Sequence, residues 1–269
     1  MMTTCDAQHD RRARVWARRT FLQAAAATGL ALAGAEPLAA LAAAPRPRPV
    51  AGCGESVQEI VNAALIAEQV ATTFYYAGLT APAVLRDRRL AGSSGDPNAV
   101  APDGNAVNVA FLQAALDQEQ KHAQVLANAG ATSSFKQFYF PATTFDRLGF
   151  TSEVGTYLWV LDHLETAFIG AYLAAAKRFG DLGRIDLAVF ALRVLGVECQ
   201  HRALYRVVSN DDPADNVTLE VVNFDCVGNA VPLLRPFLTG HGFPGGAGPA
   251  IPIPTPAQTA RVIGYNTSY

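Results

Sequence analysis

Glu119-Gln-Lys-His122 and Glu198-Cys-Gln-His201 are two copies of one spacing, a Glu followed three residues later by a His. Each stands in a strongly helical stretch, and each is preceded by a lone Glu in another such stretch, Glu68 and Glu165. Three residues turn an α-helix by about 300°, so the Glu and His of each copy leave the same face one turn apart. Two such helices and two single-Glu helices together offer four carboxylates and two imidazoles, a donor set for metal ions.

The phase of the apolar residues places all six inward. The first stripe runs Val57, Ile60, Val61, Ala64, then Glu68, then Ala71 and Tyr75; the second runs Val109, Leu112, Ala115, Leu116, then Glu119 and His122, then Leu126. The third holds Leu158, Leu161, Glu165, Phe168, Ile169 and Tyr172, and the fourth Leu187, Phe190, Val194, Glu198, His201, Tyr205 and Val208. Helical periodicity thus assigns the six polar residues to the core. Ordinary surface carboxylates would fall on the other face. Four buried carboxylates without Lys or Arg in the same stripes would each carry several kcal/mol of desolvation cost, roughly, and would repel one another. Lys121 and Arg202 are one residue past an inward phase and are expected to look outward. Two divalent cations would balance the four negative charges.

The spacing predicts helices over about residues 55–79, 105–129, 152–179 and 184–208. A Gly, Ser, Pro and Asp-rich loop, Ala91 to Gly104, separates the first two, and Gly130 to Phe150 is long enough to run the length of a bundle. The two halves read as a diverged repeat, with Glu68 and Glu165 each followed seven residues on by a Tyr, Tyr75 and Tyr172; Tyr205 stands at the same offset from Glu198. These tyrosines are candidates to hydrogen-bond the ligands or carry an electron, and equally to pack the core. Residues 209–269 are rich in Pro and Gly, which predicts an extended tail without a long helix. His163 and His241 are off the inward stripes and are not expected to be ligands.

Residues 1–44 read as a targeting segment. Arg11, Arg12 and Arg14 form a basic region, Ala17-Arg-Arg-Thr-Phe-Leu-Gln23 resembles the twin-arginine export motif, and small-residue cleavage sites lie around Ala40 to Ala44. The apolar run is too short, and too interrupted by Glu36 and Pro37, for a membrane anchor. A Pro-rich leader, 45–54, would follow, then the bundle at 55–208 and the tail. Five of the 21 basic and three of the 23 acidic residues lie in residues 1–44, leaving 16 against 20, a mildly acidic chain with no basic run. That argues against nucleic acid as a partner. In the oxidising compartment implied by export, a bridge from Cys53 to Cys226 is open to the chain. Cys199, turned about 100° from Glu198, reads as a small apolar residue rather than a ligand.

From Glu55 to Val208 the chain resembles the ferritin-like superfamily, on Glu68, Glu119, His122, Glu165, Glu198 and His201, and most of all its exported, desiccation-related group. The resemblance implies an all-α, up-down-down-up four-helix bundle with one long crossover, binding two iron or manganese ions. Two such metals, about 3.5 to 4 Å apart, exchange two electrons with O2 or peroxide. Three functions are therefore expected to compete: an oxidoreductase that consumes peroxide or oxidises ferrous iron, an iron-storage cage, and a stress or desiccation protein whose metal is structural. A homo-oligomer is compatible with each.

Overall fold

The computed structural model describes residues 53–210, 214–215, 217–220 and 222–264. The twin-arginine-type segment, its cleavage region and all but the last two residues of the Pro-rich leader lie outside these described residues.

Four long helices dominate: α1 (Val57–Leu79), α3 (Ala106–Asn128), α4 (Tyr157–Asp181) and α5 (Ile185–Ser209), with a short α2 (Pro82–Leu85) in the first connection. Local chemistry fixes where they start. Ser56 and Glu59 form a capping box on α1, the Ser56 hydroxyl accepting from Glu59 N–H while the Glu59 carboxylate accepts from Ser56 N–H. The Asn105 side chain accepts from the amides of Val107 and Asn108 and starts α3. These bonds satisfy amides that a helix N-terminus leaves without partners. α4 begins five residues later than expected because Gly155, at φ 78°, is in the left-handed region and cannot belong to a right-handed helix.

The contacts at the helix ends give the topology. Gln58, at the start of α1, donates to the carbonyl of Gly130 just past α3, and Arg178 near the end of α4 donates to the carbonyl of Glu55 before α1. α1 therefore runs antiparallel to both. α5 follows α4 after only three residues and packs along it, so the order is up-down-down-up. The long crossover joins α3 to α4, as the ferritin-like arrangement requires.

Two apolar clusters fill the bundle. One holds Phe74, Leu116, Tyr157, Leu161 and Tyr205, the other Ile60, Leu65, Leu126, Tyr172 and Val194. On α3 and α5 the expected ligands stand between residues of the two clusters, so a polar layer interrupts the core there. Gly78 lets α4 approach α1: a Cβ there would lie 2.2 Å from the Tyr157 ring, which stacks on Phe74 at 4.6 Å. Each buried Phe or Leu of these clusters contributes about 1.5–3 kcal/mol.

The tail departs from the purely extended expectation. It contains two short helices, α6 (Val231–Thr239) and α7 (Pro256–Ile263). Pro is compatible with a helix when it stands in the first turn, where no N–H partner is needed; Pro232 and Pro256 stand there, while Pro236 lies in the interior of α6. Between them, β2 (Ile251–Pro252) pairs antiparallel with β1 (Gln137–Phe138) of the crossover. Gln113 on α3 donates to the carbonyl of Val262 on α7 at 2.7 Å. Cys53 and Cys226 form a disulfide across 173 residues, tying the start of α1 to the tail.

The tail also corrects the expectation for Arg202. Its side chain points away from the bundle axis but is only 8% exposed, because Glu220 of the tail covers it with a 2.5 Å ion pair. Lys121 is exposed and pairs with Asp117 one turn back. Among the described residues no helix is long and apolar enough to cross a membrane.

Candidate metal centre

Glu68 on α1, Glu119 and His122 on α3, Glu165 on α4, and Glu198 and His201 on α5 converge in the polar layer. All four carboxylates and His201 are buried, and His122 is half-buried. Their donor atoms form two overlapping groups. Glu68, Glu119, His122 and Glu198 make one, and Glu119, Glu165, Glu198 and His201 the other, with all donors in each group within 4.8 Å of one another. Glu119 and Glu198 belong to both. His122 Nδ1 lies 3.3 Å from Glu68, 3.7 Å from Glu119 and 3.5 Å from Glu198. His201 Nδ1 lies 2.9 Å from Glu119, 3.7 Å from Glu165 and 3.3 Å from Glu198. A carboxylate from each Glu-His pair thus faces both imidazoles.

Eight of the eleven buried side-chain polar atoms that make no hydrogen bond among the described residues are in this layer: Nδ1 of both histidines, both oxygens of Glu119 and Glu198, and Oε2 of Glu68 and Glu165. Buried polar atoms are ordinarily satisfied. Orphans that all converge on two points fit cations placed there. Oxygen donors with one imidazole per position suit iron or manganese better than a thiolate-loving metal. Cys53, Glu55 and Cys226 also lie close together, but the cysteines are joined in the disulfide and offer no thiolate.

Burial and the closeness of like charges shift the groups of this layer from their ordinary values. Burial raises the carboxyls of Glu119, Glu165 and Glu198, the last to about 8. Burial also pushes on Glu68, but the close approach of Glu119 and His122 and the bond from Tyr172 outweigh it and leave this group below its ordinary value. His122 is lowered by burial yet carried up to about 11 by Glu119 and Glu68, and His201 also moves up as its carboxylate neighbours overcome its burial.

Two tyrosines close the layer in crossed fashion. Tyr75 of α1 donates to Glu165 Oε1 of α4 at 2.5 Å, and Tyr172 of α4 donates to Glu68 Oε1 of α1. Burial, then the neighbouring carboxylates, pushes both phenols far up, so they stay protonated donors. Tyr205 is buried, but its hydroxyl meets Arg206 at 3.4 Å instead of a ligand. Sequence reasoning missed Gln118. Its amide oxygen lies 2.8 Å from His201 Nε2, so that nitrogen donates and Nδ1 keeps its lone pair for the centre. No spacing distinguishes this Gln from its neighbours. His163 is exposed, its Nδ1 on the Trp159 carbonyl, and His241 is exposed on the tail. Cys199 is half-buried, its thiol directed at Glu220 and pushed up to about 11 by burial first and that carboxylate second.

A family model described as a ferritin-like domain matches residues 56–211, more than half of the chain. The chain belongs to the ferritin-like domain family. No curated protein and no solved structure matches it. The matched span of this ferritin-like chain contains every residue of the polar layer, and its candidate donor clusters fit a di-metal carboxylate protein.

Proposed function

We propose that this chain is an exported ferritin-like protein that binds two iron or manganese ions, as its resemblance implies, and that the metal pair supports redox chemistry with O2 or peroxide in stress protection. The observation that carries the reading is the pair of donor groups sharing Glu119 and Glu198, with eight converging atoms that make no hydrogen bond. Glu68 and His122 would complete one position, Glu165 and His201 the other. When bound, such a metal pair supplies two electrons to, or accepts them from, a small oxygen species. Glu119 and Glu198 face both positions, Tyr75 and Tyr172 hold the outer oxygens of Glu165 and Glu68, and Gln118 sets the tautomer of His201.

Export through the twin-arginine route with loss of about the first 42 to 44 residues belongs to the same reading. The Cys53–Cys226 disulfide, which suits an oxidising compartment, supports it. Changing Arg18 and Arg19 to Lys should leave precursor in the cytoplasm; undiminished export would refute the route. Storage is the weaker alternative, because α6 and α7 pack on the chain's own crossover and α3. To separate turnover from a structural metal, peroxide is added to the di-iron or di-manganese form, with His122→Ala as control. Peroxide loss and changed metal absorption are expected in the wild type; no loss above the variant would leave the metal a structural role.

A further inference from the structure

The bundle holds a cavity of about 160 Å³ that the centre does not use. All four long helices line it: Ala64 of α1, Leu126 of α3, Tyr172 of α4 and Ala191 of α5 are among its walls. Each lies one to two turns from a donor of its own helix, on the same stripe, so the cavity continues the bundle axis away from the polar layer. Small side chains create it, since alanines on three of the helices stand where larger residues would close the axis. It reaches solvent past Val125, which is 49% exposed, and the half-buried Phe190. There α3 and α5 touch over a shorter stretch than α1 touches α3 or α4 touches α5.

The walls decide the occupant. They present hydrocarbon almost throughout; the Tyr172 hydroxyl is engaged with Glu68. A held water needs two to four polar partners, whereas an apolar cavity of roughly 150 Å³ stays dry and accepts benzene or xenon. We propose that this cavity is a binding site for a small apolar molecule, or for the end of a hydrocarbon chain, of about the bulk of benzene. Its occupant would touch the ring of Tyr172, and through that hydroxyl it adjoins Glu68. Service as the apolar substrate pocket of the centre rests on the metal reading above; binding of the apolar ligand does not.

The test uses the full chain without metal, its Ala, Leu and Val methyls labelled for NMR, titrated with benzene and separately with octanoate. Saturable shifts at Ala64, Leu126 and Ala191 are expected, with affinity at least tenfold weaker in Ala191→Leu, which fills the axis. Octanoate shifting the same methyls identifies a chain end as occupant, and benzene alone a compact free molecule; both uphold the proposal. Xenon binding by the wild type gives the same answer should Ala191→Leu fold poorly. Absence of saturable shifts at these methyls, or benzene affinity unchanged in a folded Ala191→Leu, overturns it. Metal uptake by a second portion of each preparation, reconstituted with ferrous iron or manganese and freed of excess, keeps the readings apart, since a wild type that binds benzene but takes up no metal refutes the proposed function and leaves the cavity's ligand standing.

Discussion

The two halves of the polar layer have the same donors and different surroundings. On one side His122 and Glu68 complete the set, on the other His201 and Glu165, and Glu119 and Glu198 serve both. The crossed tyrosines keep the symmetry, each reaching to the Glu of the opposite half. The imidazoles break it. The His122 side chain is 16% exposed and that of His201 is 1% exposed, its Nε2 held by Gln118. The two halves therefore share one donor pattern and differ at the periphery, with an outer half nearer solvent and an inner half fixed by its neighbours. Exchange of metal and access of small molecules are expected on the His122 side.

Removing a shared carboxylate tests this division most severely. Glu198→Ala should lose both metals, because neither position keeps its full set, whereas Glu165→Ala should lose about one and spare the His122 side. Metal analysis after reconstitution reads both, and equal losses in the two variants would break the distinction between shared and single-helix ligands.

The stripped layer should respond to pH. Glu198 titrates near 4.5 ordinarily and near 8 when folded, so the folded chain binds this proton more tightly than the unfolded one. The stability it contributes is whole below pH 4.5 and is lost as pH rises to about 8. His122, raised to about 11, adds a loss in the same direction at higher pH. Metal requires deprotonated ligands, so its affinity should instead climb with pH. Thermal melts of stripped and loaded protein should diverge from pH 5 to 8, and parallel curves would contradict the assignment.

Gln118→Leu sharpens the comparison further, weakening the inner position about 10- to 100-fold and leaving the outer one unaltered; a uniform loss would deny Gln118 its orienting role. The smallest effects belong to the tyrosines. Tyr75→Phe and Tyr172→Phe should each cost the loaded protein about 1.5 kcal/mol, the loss of one bond to a charged acceptor, and should do so equally if the crossed pairing is symmetric. Denaturant unfolding of the two variants measures this.

Much of the layer was legible in the chain because it obeys local rules. A Glu and His three apart on an apolar stripe fix their own face, and the stripes of Val57 to Tyr75 and Leu187 to Val208 give helix and phase together. The offset from Glu68 to Tyr75 was equally plain. That Tyr75 would bond Glu165 and not a neighbour on α1 was not, since only the packing of α1 on α4 decides it. Gln118 was hidden for the same reason, as its role depends on His201, 83 residues away. Arg202 misled because phase separates core from outer face but says nothing of a tail lying over that face. In the tail, Pro content argued against helices, yet Pro in the first turn permits short ones, as α7 illustrates, and α6 forms even with Pro236 in its interior.

The central claim is that the six converging residues hold two metals through two shared carboxylates. Its most direct measurement is the metal content of the purified chain, reconstituted with ferrous iron or manganese and freed of excess. Two ions per chain are expected in the wild type, and none in Glu119→Ala/Glu198→Ala. A wild type that retains no iron or manganese, or a double variant that retains as much, would contradict it.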